Sequence, residues 1–240
     1  MATSSIETVF ITGADKGLGL SLVSHFLNNG WRVFAGVYQI ADDLQLLAPE
    51  HDSRLVSVRL DVSDMASVIS AYQQVTAQTP VLDILINNAG IHLPSKPSQS
   101  LTELDLTDGH LEMLLNVNTF GPLRVTQQFL PLLEKGNHKL IINISSEAGS
   151  IASCERTNDY GYCMSKAALN MQSRILQNAL VSQGFQVLAI HPGWMRTDMG
   201  GEKADIEPAE AAEGIYQLAL KPCSAEDAMY VDFRGNPLPW

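Results

Sequence analysis

The chain is short of cysteine, of basic residues and of long apolar runs, and each shortage closes off a class of protein. Its three cysteines, Cys154, Cys163 and Cys223, stand at no metal-ligand spacing. None of the six histidines pairs with another His or Cys at ligand spacing, so no metal site is expected. A small, odd cysteine count in 240 residues reads as a reduced, intracellular protein and not as a disulfide scaffold. Lys and Arg number 15 against 26 Asp and Glu, a formal charge of −11, which argues against a nucleic-acid partner and against an anionic membrane surface. No apolar run nears the ~18 residues that a membrane span needs. The stretch Met1-Ala2-Thr3-Ser4-Ser5 has no basic segment followed by an apolar core, so no signal peptide is expected and the expected location is cytoplasmic.

What is present fits one α/β domain over residues 1–240, with 45% hydrophobic and 17% charged residues and enough chain for a sizeable core. Short Val-, Ile- and Leu-rich runs alternate with segments of helical period. Strands are expected at 9–11, 32–37, 55–60, 82–86, 140–144, 187–190 and 229–232. Helices are expected over 18–27, 42–47, 65–78, 108–133 and 160–182, and after Pro208. Ser63 or Asp64 caps the helix from Met65. Buried strands separated by helices make a doubly wound, mostly parallel seven-stranded sheet of Rossmann type. Ligands of such sheets bind beyond the carboxyl ends of the strands. Glycine and polar residues collect at those ends: a glycine turn, Asp61, Asn88, Ser146 and Pro192.

The turn Thr12-Gly13-Ala14-Asp15-Lys16-Gly17-Leu18-Gly19 follows the first strand and opens the first helix. Glycines there admit close backbone approach, and free N–H groups at a helix start attract phosphate. An ordinary βα turn can be glycine-rich as well, so the motif alone is weak. Tyr162 and Lys166 lie four apart and share a helix face. A nearby ammonium favours the phenolate and brings a phenol toward useful acid–base strength; a surface Tyr–Lys pair reads the same way in sequence. Tyr160 has Met164, not lysine, four residues on. Ser145 and Ser146 end a strand, where a hydroxyl is placed to bond a substrate oxygen or simply the backbone. Asn118 is a poor mid-helix residue, either solvated or holding a water through nearby backbone.

Taken together, Thr12-Gly13-x-x-x-Gly17-x-Gly19, Asn87-Asn88-Ala89-Gly90, Asn118-x-x-Gly121, a strand-end Ser, Tyr162-x-x-x-Lys166 and Pro192-Gly193 occur in the order of the short-chain dehydrogenase/reductase family. The chain resembles that family over essentially its whole length. The runs Tyr160 to Met171 and His191 to Gly201, with Pro239-Trp240, look like its branch of C-factor and sniffer-type carbonyl reductases.

The resemblance implies a hydride transfer from a nicotinamide cofactor to an aldehyde, ketone or quinone. Tyr162 is then the acid, Lys166 lowers its pKa and holds the ribose, Ser146 polarises the carbonyl and Asn118 carries a relay water. Strand alternation favours Ser146 over Ser145. Cofactor contacts fall to Gly13, Asp15, Lys16, Gly17, Leu18, Gly19, Tyr38, Asp61, Val62, Asn88, Ala89, Gly90, Tyr162, Lys166, Pro192, Gly193 and Thr197. No acid follows the second strand at Gly36-Val37-Tyr38-Gln39, and Lys16 stands where a cation meets a 2′-phosphate, so NADP(H) is preferred to NAD(H). Asp15 complicates that choice.

The interval from Ser146 to Tyr162 is longer than is common in the family, which implies a looped insertion at 155–159 beside the substrate. The loop from Trp194 to Ile206 is the expected lid, and Leu93, Cys154, Trp194, Met195 and Met199 are candidates for an apolar pocket. Apolar residues on several sides of the Tyr162 helix (Ala167, Ala168, Leu169, Met171, Ile175, Leu176, Leu180) predict a homodimer, with a homotetramer as the alternative. A non-catalytic cofactor-binding sensor on the same fold is the competing reading.

Overall fold

The computed structural model describes residues 6–39, 44, 46–47, 52–93, 101–221 and 228–240. Asp42, Asp43, Cys223, half of the expected 42–47 helix and most of the 92–99 connection fall outside them.

Seven strands form one parallel sheet: β1 (Thr8–Thr12), β2 (Arg32–Val37), β3 (Leu55–Arg59), β4 (Ile84–Asn87), β5 (Leu140–Ile144), β6 (Gln186–His191) and β7 (Tyr230–Asp232). Their order is β3-β2-β1-β4-β5-β6-β7. The winding reverses between β1 and β4, and a crevice opens at such a switch point. There the ends of β1 and β4 deliver the glycine turn and Asn87-Asn88 side by side, with Ile11 paired to Ile86.

The apolar strand runs are explained by cover on both faces. Along β1, Val9 and Ile11 join one core layer with Leu22 and Phe26 of α1 (Gly17–Asn28). Phe10 joins the other and stacks on Phe129 at 4.4 Å between ring centroids. That second layer is built by α2 (Met65–Thr76) and by the helix containing Phe129. Asp64, not Ser63, caps α2: its carboxylate accepts from the N–H groups of Ala66 and Ser67, the usual way to satisfy a helix start.

The helix expected over 108–133 is broken. It runs as α3 (His110–Leu115), a wide π turn (Asn116–Phe120) and α4 (Gly121–Leu133). Proline explains the break. The amide that would serve the Asn118 carbonyl in an α-helix belongs to Pro122, which has no N–H, so the ladder must change register there.

α5 (Tyr160–Leu180) carries Tyr162 and Lys166, and α6 (Pro208–Leu220) begins on a first-turn proline. Of the apolar residues on α5, Leu169 and Leu180 are buried, whereas Met171 and Ile175 are exposed, as are Phe120 and Leu123 nearby in the chain order of the broken helix. No helix among the described residues is long and apolar enough to cross a membrane.

Candidate active site

The glycine turn is shaped by close approach. Gly13 and Gly17 have φ of +63° and +55°, a region that L side chains avoid. A Cβ at Gly13 would stand 2.8 Å from the Ala89 Cα, and one at Gly19 would stand 1.9 Å from the Gly13 carbonyl oxygen. Lys16 is the N-cap of α1 but gives no side-chain cap, so the first N–H groups of the helix, Leu18 and Gly19 among them, are free of a capping side chain. That is a cradle for a phosphate.

Asn88 braces the turn: its amide nitrogen donates to the Thr12 and Gly13 carbonyls, each at 2.9 Å. The N–H groups of Asn88 and Ala89 donate to the Thr12 hydroxyl. Gly90 lies next to the chemistry, since a Cβ there would be 3.3 Å from Asn118 Oδ1 and 3.6 Å from Lys166 Nζ. The Asn118 side chain is fully buried and clamps Ile91, accepting from its N–H at 2.8 Å and donating to its carbonyl at 2.9 Å. It also donates to Ser165 Oγ. Its amide is thus committed to protein groups.

Tyr162, Ser146 and Lys166 converge on the ends of β4 and β5. The Tyr162 phenol faces the Ser146 side chain, which acts to lower its pKa. Ser146 Oγ also accepts from the Ala148 N–H. The Ser145 hydroxyl instead donates to Asn170 Oδ1 at 2.6 Å inside the core, which separates the two serines that sequence left side by side. Lys166 Nζ donates to the Ile144 carbonyl at 2.8 Å and lies 5.7 Å from the Tyr162 ring centroid. Tyr160 is exposed.

The expected depression of the phenol pKa by Lys166 is not what the protein alone produces. Burial pushes Tyr162 up to about 12, against the effect of Ser146, and Glu147 and Asp159 add to the rise. Burial pushes Lys166 down to about 8. Desolvation disfavours the charged form of each, and at this distance it outweighs their attraction.

At the start of α1, Lys16 pairs with Asp198 at 2.7 Å on the loop after β6. Tyr38 is exposed, and over its ring, 5.1 Å from the centroid, lies the guanidinium of Arg59, whose Nη1 also donates to the Tyr38 carbonyl. Arg59 ends β3, outside any motif of the sequence, and the register pairing of Val37 with Arg59 brings it to the end of β2. The Asp61 carboxylate accepts from the Ser63 N–H and hydroxyl. Val62 packs on Gly121, where a Cβ would meet its Cγ2 at 2.8 Å.

The loop after β6 is folded on itself. Gly193 has φ +84°, Pro192 is buried and Met195 packs against the first core layer. The Trp194 indole donates to the Gly200 carbonyl. Thr197 abuts Gly17, 3.2 Å from where its Cβ would be. Trp194, Met199 and Cys154 are exposed, so they and Met195 do not share one buried apolar surface.

A dinucleotide fits these residues. Besides the glycine cradle, two buried side-chain atoms without a hydrogen-bond partner, Asn87 Oδ1 and His191 Nδ1, stand at the carboxyl ends of β4 and β6, where a ligand of this fold binds.

Comparison with known proteins agrees. The model of the short chain dehydrogenase family matches residues 7–207. The chain is 35% identical over 162 residues to the C-signal of Myxococcus xanthus, covering 68% of this chain and 95% of that protein. It superposes on the crystal structure of NADPH-bound carbonyl reductase from chicken fatty liver with a TM-score of 0.87 at 34% identity, over 98% of this chain and 99% of that one. For the carbonyl reductase Sniffer of D. melanogaster the TM-score is 0.88 at 29% identity, over 98% and 100%.

Proposed function

The chain belongs to the short chain dehydrogenase family, and from that premise we propose that it is an NADP(H)-dependent reductase of aldehydes, ketones or quinones. The observation that carries this reading is the meeting of the Tyr162 hydroxyl with Ser146, beside the buried Lys166 amine, at the strand ends. The glycine turn would hold the phosphates of NADPH, which would supply the hydride when bound. Ser146 donates a hydrogen bond to the carbonyl oxygen and Tyr162 gives that oxygen its proton. A phenol pushed up to about 12 stays protonated at neutral pH. That is the state needed to donate a proton. Lys166 keeps a positive charge at neutral pH, near the ring that becomes anionic as its proton leaves.

Arg59 supports the preference for NADP(H). Among the described residues it has no acidic partner, and it stands at the end of β2 where the fold reads the ribose. Lys16, by contrast, is neutralised by Asp198. A homodimer joined through the exposed apolar faces of α5 and the broken helix, in the cytoplasm, completes the reading.

Oxidation of NADPH and NADH against a panel of aldehydes, ketones and quinones tests it. Turnover with NADPH is expected, and Tyr162→Phe is expected to lower kcat by ~10²-fold or more. Arg59→Gln is expected to weaken NADPH binding by roughly tenfold while leaving NADH binding unchanged, as loss of one charge-assisted phosphate contact implies. The likeness to C-signal favours a second reading, a cofactor-binding signalling protein. Tight NADPH binding without turnover of any carbonyl would select it.

A further inference from the structure

Asp159 is set up against its own local interests. It is the N-cap residue of α5, and aspartate is a preferred cap, yet its side chain gives the helix no cap. Asp64 at the start of α2 does cap, with φ −114°. Asp159 has φ +65°, one of two non-glycine residues among those described with positive φ, a conformation that costs energy and gathers at functional sites. It is also buried, where a carboxylate needs partners.

Its partners lie around Tyr162. His92 Nε2 is 3.1 and 3.2 Å from the two Asp159 oxygens, and the His92 ring packs on the Tyr162 ring at 4.6 Å between centroids. His92 follows Ile91, the residue clamped by Asn118. Arg156 bonds Asp159 at 3.3 Å and Glu147 on its other nitrogen, and Glu147 follows Ser146. The insertion at 155–159 is therefore tied to both neighbours of the tyrosine.

We propose that His92 and Asp159 form a positioning pair that fixes the Tyr162 ring so that its hydroxyl stays on Ser146. Neither residue belongs to the reacting set; the pair acts through Tyr162, and the inference rests on the reductase reading of that residue. It also makes Asp159 part of the field on the phenol, along with Glu147, Arg156, His92 and Lys166, the other charged or titratable groups that face it.

Four variants separate positioning from folding. Asp159→Gly relieves the positive φ, so its thermal midpoint is expected to match or exceed the wild type while kcat falls by about tenfold with NADPH affinity unchanged. His92→Phe keeps the ring and loses the carboxylate bond, and is expected to lose kcat alike; His92→Gln keeps a donor for Asp159 and is expected to recover part of it. Asp159→Asn keeps an acceptor and tolerates the backbone, but removes a charge. The alkaline limb of its kcat/KM profile is expected to move down by roughly half a unit or more.

A readout free of turnover accompanies these. In protein grown on 3-fluorotyrosine, the Tyr162 resonance, assigned by its loss in Tyr162→Phe, is expected to titrate lower in Asp159→Asn than in wild type. Full kcat in Asp159→Gly and His92→Phe, or an unmoved fluorotyrosine titration in Asp159→Asn, would overturn the pair. Absence of any carbonyl turnover in the wild type would instead overturn the reductase reading, and the fluorine titration would still decide the pair.

Discussion

The two ends of the site are made of different material. The end proposed for the cofactor is backbone: glycines at 13, 17 and 19, N–H groups at the start of α1 without a capping side chain, and an Asn88 side chain that braces the turn. The substrate end is side chain: Tyr162 on Ser146, walled by His92 and by the charges of Glu147, Arg156 and Asp159. A backbone site fails by crowding, at once and for any ligand. A side-chain site fails piecemeal, one contact and one protonation state at a time.

The largest effect is therefore expected at Gly19. Its missing Cβ would sit 1.9 Å from a carbonyl oxygen that cannot swing away, so Gly19→Ala must displace the start of α1 from the turn. NADPH affinity is expected to fall by ~10³-fold or more in a fluorescence titration, because every phosphate contact moves together. Gly30→Ala is the control. Gly30 has φ +88° and open space around it, so it suffers strain alone, about 1 kcal/mol of stability, and keeps full affinity. Equal losses in the two variants would show that backbone strain, not crowding, governs the turn.

This contrast also explains what could be read from the chain before folding. The sheet, its parallel order and the glycine turn are local or periodic features, and strands such as Val9-Phe10-Ile11 announce burial on both faces by being apolar throughout. Asn88, Ser146, Tyr162 and Lys166 stood in recognisable short motifs. Three things were not legible. Pro122 breaks a helix whose periodicity continues across it, because hydrophobic spacing does not record a lost N–H. Arg59 reaches the end of β2 only through the register of two strands. The charges around Tyr162 come from positions 147, 156 and 159, joined by no spacing rule, and burial, with Glu147 and Asp159 adding to it, inverted the expected direction of the phenol pKa.

The serine pair sharpens the comparison from the substrate side. Ser146→Ala removes the hydroxyl that meets Tyr162 and is expected to lower kcat by about 10²-fold, the scale of a lost donor to a reacting oxygen. Its stability change is expected to stay near ~1 kcal/mol, the worth of its small cap on Ala148. Ser145→Ala leaves Asn170 Oδ1 short of a buried donor. It is expected to lose about 1–3 kcal/mol in urea unfolding with kcat intact. A Ser145 variant that lost activity without losing stability would reverse the assignment.

Lys166 gives an effect on stability with a definite sign. Its pKa is about 8 in the folded chain against an ordinary 10.5, so the folded state binds fewer protons than the unfolded one between those values. Unfolding free energy then rises with pH across that window, by about 2 kcal/mol from roughly pH 7 to pH 9.5 for this group alone. Below about 8 the cost of the buried charge is present in full. Tyr162, raised from 10.0 to about 12, acts oppositely but only above about pH 10, where the unfolded phenol ionises first. Lys166→Met removes the buried ammonium. It is expected to be more stable than wild type at neutral pH, to lose the rise toward pH 9.5, and to lose turnover. A rise of the same size in the variant would mean that some other group carries the titration, and that the Lys166 amine is better solvated than its bond to the Ile144 carbonyl implies.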